Sequence, residues 1–296
     1  MTDKARKIKI SALTDAGKER DNNEDALLFC SNLERQEWQE QATDDYETIN
    51  SLGSLLIVAD GMGGANAGEV ASALAVNSVK ESFQSQRVQA AIQQELITEL
   101  MQRSVVTADE AINQRIIKDP DTTGMGTTIV ICWILGGTAH IAWCGDSRCY
   151  VYNPLNGLQR LTTDHSFVQE LIAKGELTED EAFNHPENNI ITRGLGDFQA
   201  YPTADVVEYD LQSNDTLLLC SDGLCGYCSD REIEKTLQGN YTDVEKCCDL
   251  LMQLALDAGG CDNITITLAS VIDDDDEQPV KLKFAPLKRL FNKLKK

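Results

Sequence analysis

Apolar residues along this chain follow two kinds of pattern, which predict strands and helices. Short runs that are wholly apolar, or that alternate with polar residues, are typical of strands, because successive side chains point to opposite faces. By this pattern the sequence predicts strands over residues 7–14, 26–30, 55–60, 127–135, 139–144, 149–152, 158–161, 206–209, 216–220 and 263–272. Longer segments with few breaking residues predict helices over residues 65–83, 88–117, 167–174, 179–183, 230–237 and 243–258.

The order of these elements indicates the fold class. The strands come in runs and the helices in pairs, which favours an α+β fold with helices outside antiparallel sheets. The segment 31–51 is polar and rich in acids, so we expect it to be an exposed excursion between strands. The pairs Gly136-Gly137 and Asn156-Gly157 predict turns within a meander of short strands.

Composition narrows the possible classes of function. The chain has 296 residues, enough for one large domain or two small ones, and a formal net charge of −22. Such an acidic chain lacks the basic surface that nucleic-acid binding requires, and it should instead attract cations. No apolar run is long enough to span a membrane, and the charged segment 1–10 lacks the apolar centre of a secretory signal.

The ten cysteines indicate a reducing compartment. The chain is too long for a disulfide scaffold, and several cysteines lie in apolar strand-like runs, where a free thiol behaves as a small core residue. We therefore expect a cytoplasmic protein. Cys225 and Cys228 form a lone Cys-x-x-Cys pair, without the second pair or the nearby histidines that would complete a zinc site.

One stretch joins an apolar run to a carboxylate and several glycines. Residues 55–59 are apolar, Asp60 follows, and Gly61, Gly63 and Gly64 come next. A buried strand would carry the carboxylate to its end, and the glycines let the backbone turn tightly and approach a ligand. Taken alone, Asp60 fits a helix cap and a metal ligand equally well, since hard cations take carboxylate and carbonyl oxygens.

Further acids stand at the ends of other predicted strands. Asp222 follows an apolar run, Asp262 opens the last strand, Glu24 and Asp25 precede the second strand, and Asp146 lies between two strands. This repetition predicts that distant segments build a single carboxylate cluster.

These segments resemble the metal-dependent protein phosphatase family (PPM, type 2C), and in particular its bacterial serine/threonine phosphatases. The resemblance covers roughly residues 8–272 and implies two antiparallel sheets packed face to face and flanked by helix pairs, a four-layer α-β-β-α sandwich. The matching motifs occur in the family's order and are Arg20-x-x-Asn23-Glu24-Asp25-Ala26, Asp60-Gly61-Met62-Gly63-Gly64, Gly126-Thr127-Thr128, Gly145-Asp146-Ser147-Arg148, Asp164-His165-Ser166, Thr192-Arg193-Gly194-Leu195-Gly196, Ser221-Asp222-Gly223-Leu224 and Asp262-Asn263-Ile264-Thr265.

The resemblance implies a site for two Mg²⁺ or Mn²⁺ ions. Asp60 would bridge the two ions, Asp222 and Asp262 would complete the protein ligands of one ion, and Glu24 with the carbonyl of Gly61 would serve the other. Two such ions can neutralise a phosphate ester and hold a bridging hydroxide that attacks phosphorus. The implied activity is hydrolysis of phosphoserine and phosphothreonine in proteins.

Other roles follow from the same resemblance. Arg20 would bind the phosphate through its planar guanidinium, and Asp25 would orient a metal-bound water. Asp146 together with Asp222 would hold a third, weaker ion, although a turn aspartate paired with Arg148 is the alternative.

Met62 departs from the pattern of many eukaryotic members, which carry histidine there as a proposed general acid. Methionine cannot donate a proton, so leaving-group protonation would fall to metal-bound water or another group. His165 and His185 are weak candidates, and each fits a structural or exposed position better.

The expected organisation is a catalytic domain over residues 1–272, with a variable flap segment at 166–191, and an acidic linker and basic tail over residues 273–296. Residues 279–296 hold seven Lys or Arg and no Asp or Glu. Leu287, Leu290, Phe291 and Leu294 share one helical face there. The tail suits a disordered solubilising segment, a helix on an anionic membrane, or a helix docked on a protein.

The implied partners are phosphorylated proteins, and the enzyme would oppose a serine/threonine kinase as a monomer. The alternative outside enzymes is a pseudophosphatase that only binds partners. Loss of metal-binding acids would support that alternative, and this sequence retains all of them.

Overall fold

The structure is a computed structural model, and it describes residues 5–63, 67–198 and 202–274. Strands β1 to β13 span Arg6–Asp15, Asp25–Cys30, Glu47–Thr48, Ser54–Met62, Gly126–Thr127, Ile129–Leu135, Thr138–Cys144, Arg148–Asn153, Gly157–Arg160, Leu195–Gly196, Asp205–Asp210, Asp215–Cys220 and Ile264–Asp273. Helices α1 to α8 span Gly68–Ser82, Ser85–Gln93, Ile97–Lys118, Phe167–Ala173, Glu179–Phe183, Asp222–Cys225, Asp230–Asn240 and Val244–Asp257.

The strands form two antiparallel sheets. The first sheet has the order β3-β1-β13-β12-β8-β9, and the second has the order β10-β5-β4-β6-β7-β11, with β2 also paired to β4. The first and last long strands, β1 and β13, pair along their whole length, from Arg6 opposite Asp273 to Asp15 opposite Ile264. The two ends of the described chain are therefore closed into one sheet.

Three apolar cores separate four layers. One core lies between the two sheets, a second lies between the second sheet and α1 to α3, and a third lies between the first sheet and α6 to α8. Strand β4 shows how the sequence achieves this. Leu56 and Val58 face the other sheet, whereas Leu55, Ile57 and Ala59 face the helices. Because both faces of the strand are buried, its sequence is one continuous apolar run. The predicted α-β-β-α sandwich is confirmed.

The predicted long helix over 88–117 is wrong in one respect. The structure divides it into α2 and α3, because Glu95 adopts a left-handed backbone with φ of 57° and the amide of Leu96 bonds back to the carbonyl of Ala91. Neither glycine nor proline marks this break in the sequence, so the local pattern gave no signal. The short elements β3, β10 and α6 were not predicted either.

The cysteines behave as core residues. All ten are free thiols, and nine of them are buried. Cys225 and Cys228 lie against α7 and α8 in the third core. Among the helices the structure describes, none is both long enough and apolar enough to cross a membrane. The predicted basic tail lies outside the described residues.

Candidate active site

The topology brings the predicted acids to one end of the sandwich. Strands β2 and β4 pair so that Asp25 stands directly opposite Asp60 in the second sheet. In the first sheet, Asp222 begins α6 just after β12, and Asp262 lies just before β13. Asp146 lies on the connection from β7 to β8, which crosses between the sheets. Both sheets thus contribute carboxylates to the same end.

Burial and repulsion between neighbouring carboxylates raise the pKa values of these acids. Burial, followed by the charges of Asp25, Asp222 and Asp146, raises the pKa of Asp60 well above its usual value. Burial also raises the pKa of Asp25 to about 7 and that of Asp222 to about 6, and it raises the pKa of Asp146 and Glu24. A hydrogen bond with Asp222 is a further cause of the raised pKa of Asp60.

Two carboxylate oxygens in this cluster are unsatisfied. Oδ1 of Asp25 and Oδ1 of Asp222 are buried and have no hydrogen-bond partner in the part of the chain that is described. Buried acceptors without partners are costly, and in a native protein they point to an ion or water.

Arg20 contacts Asp262 in this structure. Nη2 of Arg20 donates to Oδ2 of Asp262 at 2.9 Å, and the charge of Asp262 raises the pKa of the guanidinium. The predicted phosphate ligand therefore lies at the acid cluster, as expected, but it pairs with a predicted metal ligand. Its side chain is 53% exposed, so it can change partner without breaking the core.

Hydroxyl groups of β5 and the following residue fix the backbone at Asp60. The carbonyl of Asp60 accepts from Oγ1 of Thr127 at 2.8 Å and from the amide of Thr128 at 2.9 Å, while its amide donates to Oγ1 of Thr128 at 3.0 Å. Oγ1 of Thr128 also lies 2.7 Å from Oγ of Ser147, next to Asp146. Thr128 therefore ties together the turns that carry two of the acids.

Asn263 plays a similar part for Glu24, and residue patterns alone did not reveal it. Its Oδ1 accepts from the amide of Glu24 at 2.7 Å, and its Nδ2 donates to the carbonyls of Ala16 and Asn22 at 3.0 and 2.9 Å. The side chain is buried. Its position beside Asp262 was the only available signal in the sequence.

Ser221 connects the two sheets at Asp25. Its hydroxyl donates to Oδ2 of Asp25 at 2.7 Å and accepts from the amide of Thr265 at 2.9 Å. Because Ser221 precedes Asp222, this contact also fixes the start of α6.

Close backbone approach explains the glycine at position 61. A Cβ on Gly61 would collide with the carbonyl oxygens of Gly68 and Glu24, and a Cβ on Gly68 would lie 2.6 Å from Oε2 of Glu24. The amide of Gly61 donates to the carbonyl of Glu24 at 3.2 Å. The two glycines therefore allow Glu24, Gly61 and the start of α1 to meet.

The residues present fit divalent cations by their chemistry. Within the described ranges, no group of three or more His, Cys, Asp or Glu side chains is drawn together closely enough to hold a metal ion. Like charges repel, and Arg20 lies at the cluster where cations would neutralise the acids. An all-oxygen donor set with unsatisfied buried carboxylates suits Mg²⁺ or Mn²⁺ and suits thiophilic metals poorly.

Comparison with known proteins identifies the family of this chain. The family model described as protein phosphatase 2C matches residues 12–264. The chain is 35% identical over 255 residues to the serine/threonine phosphatase stp of Listeria innocua, covering 86% of this chain and 92% of that protein. It belongs to the protein phosphatase 2C family.

Solved structures of phosphatase 2C proteins share the fold. The serine/threonine phosphatase Stp1 from Staphylococcus aureus superposes with a TM-score of 0.75 at 35% identity, covering 88% of this chain and 94% of that one. The catalytic domain of PstP in complex with two manganese ions superposes with a TM-score of 0.72 at 30% identity, covering 90% of this chain and all of that one.

His165 and His185 of this phosphatase 2C protein are engaged in structural contacts. The amide of Gly145 donates to Nδ1 of His165 at 3.1 Å, Nε2 of His165 lies 3.2 Å from Asp205, and the ring stacks on Trp143. His165 therefore supports the turn that carries Asp146. Nδ1 of His185 accepts from a backbone amide within the flap segment.

Proposed function

We propose that this protein is a protein phosphatase that hydrolyses phosphoserine and phosphothreonine with the help of divalent metal ions. The observation that carries this function is the convergence of carboxylates from distant segments around Asp60, with buried oxygens of Asp25 and Asp222 that have no hydrogen-bond partner among the described residues. Membership of the protein phosphatase 2C family supports it.

This arrangement and the family pattern support one set of metal ligands. Asp60 would lie between two Mg²⁺ or Mn²⁺ ions, with Asp222 and Asp262 on one side and Glu24 and the Gly61 carbonyl on the other. PstP, whose catalytic domain is similar to this chain, is a manganese complex in its crystal structure. When bound, the ions would neutralise the phosphate and lower the pKa of coordinated water, which supplies the nucleophile near neutral pH.

A third ion fits Asp146. The carboxylate of Asp146 is buried, and the charge of Asp222 raises its pKa further. Arg148, the alternative partner considered from the sequence, directs its hydrogen bonds to Asp164 and Tyr150 instead. Asp146 is therefore left to a cation that it would share with Asp222.

The protein's own side chains bind and orient the substrate. Arg20 exchanges Asp262 for the phosphate, to which a guanidinium can donate two parallel hydrogen bonds. Asp25, held by Ser221, presents its other oxygen to water in the cluster. Met62 has no proton to donate, and the ring nitrogens of His165 are engaged, so solvent at the acid cluster supplies the leaving-group proton.

The substrates are phosphorylated proteins, and we propose that the enzyme opposes a serine/threonine kinase in the cytoplasm as a monomer. The catalytic domain spans residues 1–272 with its flap segment at 166–191.

The basic tail within 273–296 would dock on a protein, because the acidic body repels an anionic bilayer and attracts the tail. Deletion of residues 279–296 should leave peptide hydrolysis intact and change the proteins or membranes recovered with the enzyme. Identical recovery would favour a solubilising tail.

The experiment that tests the function is hydrolysis of a phosphothreonine peptide. Activity should require added Mn²⁺ or Mg²⁺ and disappear with a chelator. Asp60→Asn should abolish turnover while the fold persists, since removing one charge relieves repulsion among the acids. Full activity of metal-free protein would refute the metal mechanism, and a wild type inactive with every metal would favour a pseudophosphatase.

A further inference from the structure

A cavity of about 590 Å³ opens beside the acid cluster. Asp146 and Asp222 form part of its wall. Most of the remainder comes from the flap segment on one side and from α6 and the start of α7 on the other, with Arg148, Arg160 and Asp164 between them. A cavity of this size accommodates a whole side chain with room to spare. Since it begins at the proposed metal ligands, a residue next to a phosphorylated serine or threonine would reach it.

The walls of the cavity suit a long aliphatic stem. From the flap segment, α4 contributes Val168 and Ile172, and α5 contributes Ala182 and Phe183. From the opposite side comes Tyr227, whose large side chain is 39% exposed. Apolar walls on both sides would bury the methylene groups of a side chain that keeps its polar end elsewhere.

Carboxylates outnumber guanidinium groups among the side chains that line the cavity. Six carboxylates and three guanidinium groups line it. Arg148 is bound by Asp164 through hydrogen bonds of 2.9, 3.1 and 2.7 Å, and Arg160 lies 3.4 Å from Glu179. Asp146 and Asp222 belong to the proposed metal site. Asp180 and Asp230 are the remaining carboxylates of the lining, and Arg231 is the remaining guanidinium.

Asp230 is held in place by buried partners. Its Oδ1 accepts a hydrogen bond of 2.8 Å from the hydroxyl of Tyr150, a fully buried side chain, and lies 3.6 Å from Nη1 of Arg148. The side chain of Asp230 is nevertheless 51% exposed. This contact uses one of its two carboxylate oxygens, so the acid is oriented and can still receive a charged group.

We propose that the cavity is a subsite for a lysine or arginine side chain beside the phosphorylated residue of the substrate, with Asp230 as the acid that receives its charge. The proposal rests on the phosphatase function above. An aliphatic stem between Ile172, Phe183 and Tyr227, ending at a carboxylate, matches the shape and charge distribution of these two side chains. The acidic body of the protein would add long-range attraction for such a substrate.

The test compares phosphothreonine peptides that are identical except at one neighbouring position, which carries arginine, norleucine or glutamate in turn. Each neighbouring position is varied in a separate peptide set. In the set whose varied residue reaches the cavity, kcat/KM for the arginine peptide should exceed that for the norleucine peptide by about fivefold, which is the effect of a half-exposed ion pair. The glutamate peptide should be the poorest. The preference should weaken in about 0.5 M salt, which screens exposed charges.

Asp230→Asn should reduce the ratio of arginine to norleucine peptide towards one, and Asp230→Glu, which keeps the charge, should preserve most of it. Asp249→Asn is the matched control, because it removes one exposed acid from α8, on the outer face of the first sheet, and should leave the ratio intact.

Two outcomes would overturn the subsite. One is equal rates for all three peptides at every position. The other is an unchanged ratio in Asp230→Asn, and a uniform change for all peptides in that variant would place Asp230 in the support of Arg148. A wild type that hydrolyses none of the peptides with Mn²⁺ would instead contradict the phosphatase function itself.

Discussion

Nη2 of Arg20 lies 2.9 Å from Oδ2 of Asp262, and this contact joins the proposed phosphate ligand to a proposed metal ligand. The two residues are 242 positions apart in sequence and meet only because β1 and β13 are neighbours. A carboxylate that binds a divalent cation has less charge left for a guanidinium. Metal binding should therefore release Arg20 towards the substrate.

Replacing Arg20 should affect metal and substrate in opposite directions. Arg20→Ala should bind Mn²⁺ several-fold more tightly in calorimetry, because the acid cluster loses its competing cation. The KM for a phosphopeptide should rise about tenfold or more while kcat changes less, since a charge-assisted bond to phosphate is lost. The Mn²⁺ affinity and the KM of Arg20→Lys should lie between those of wild type and Arg20→Ala. Weaker Mn²⁺ binding by Arg20→Ala would contradict the competition.

The stability of the metal-free protein should depend on pH in a defined direction. Asp25 and Asp222 have folded-state pKa values of about 7 and 6, above the usual 3.8, so the folded protein holds protons that the unfolded chain releases. This contribution is present in full below about pH 4 and is lost as pH rises towards 7. In the presence of a chelator, the free energy of unfolding should fall by several kcal/mol over that interval.

Two comparisons make the pH experiment specific. Asp222→Asn should show a shallower decline and should be more stable than wild type near pH 7 without metal. Mn²⁺ should remove the decline in wild type, because cations replace the protons. Urea denaturation curves at several pH values measure each effect. A metal-free stability that rises from pH 4 to 7 would show that the acid cluster is less strained than its geometry indicates.

Asp146 should matter for turnover and not for tight metal binding. Asp146→Asn removes the carboxylate on the connection between β7 and β8 while keeping its size. Calorimetry should still detect two tightly bound Mn²⁺ ions, and kcat should fall by about tenfold or more, equivalent to about 1.4 kcal/mol of transition-state stabilisation. Loss of tight binding would instead make Asp146 part of the main pair of sites.

Asn263 should be important for stability as well as for Glu24. Asn263→Ala removes one acceptor and two donors from partly buried backbone groups, so the free energy of unfolding should fall by about 1–3 kcal/mol. Asn263→Asp keeps the acceptor and adds a like charge beside Asp262, and it should also be destabilising without metal. Asn156→Ala, which loses only an exposed contact to Gln212, is the matched control and should change stability little.

The acids of the site were predictable because each follows a local rule. Asp60 and Asp222 both end a buried apolar run, and the run itself marks a strand whose end lies at the sheet edge. The α+β class was predictable for a similar reason, since apolar alternation and continuous apolar runs mark each strand. The four-layer sandwich was expected only from the family resemblance. The order of the motifs added the pairing of distant segments, which periodicity alone does not provide.

Features that depend on long-range contacts were not predictable. The hydrogen bond from the amide of Glu24 to Asn263 joins residues 239 positions apart, and the local sequence around either residue does not predict it. The ion pair of Arg20 with Asp262 reflects competition within the cluster, which emerges only when all charges are placed together. The break at Glu95 depends on tertiary packing of α2 and α3 and not on a breaking residue.

The pairing of β13 between β1 and β12 has a consequence for biosynthesis. Asp262 and β13 are among the last parts of the domain to leave the ribosome, whereas Glu24 and β1 are among the first. Until β13 inserts, β1 lacks its long partner, Ser221 lacks the amide of Thr265, and Glu24 lacks Asn263. A nascent chain would therefore acquire its catalytic end in one late event, and a fragment truncated before residue 262 would have no partially active form.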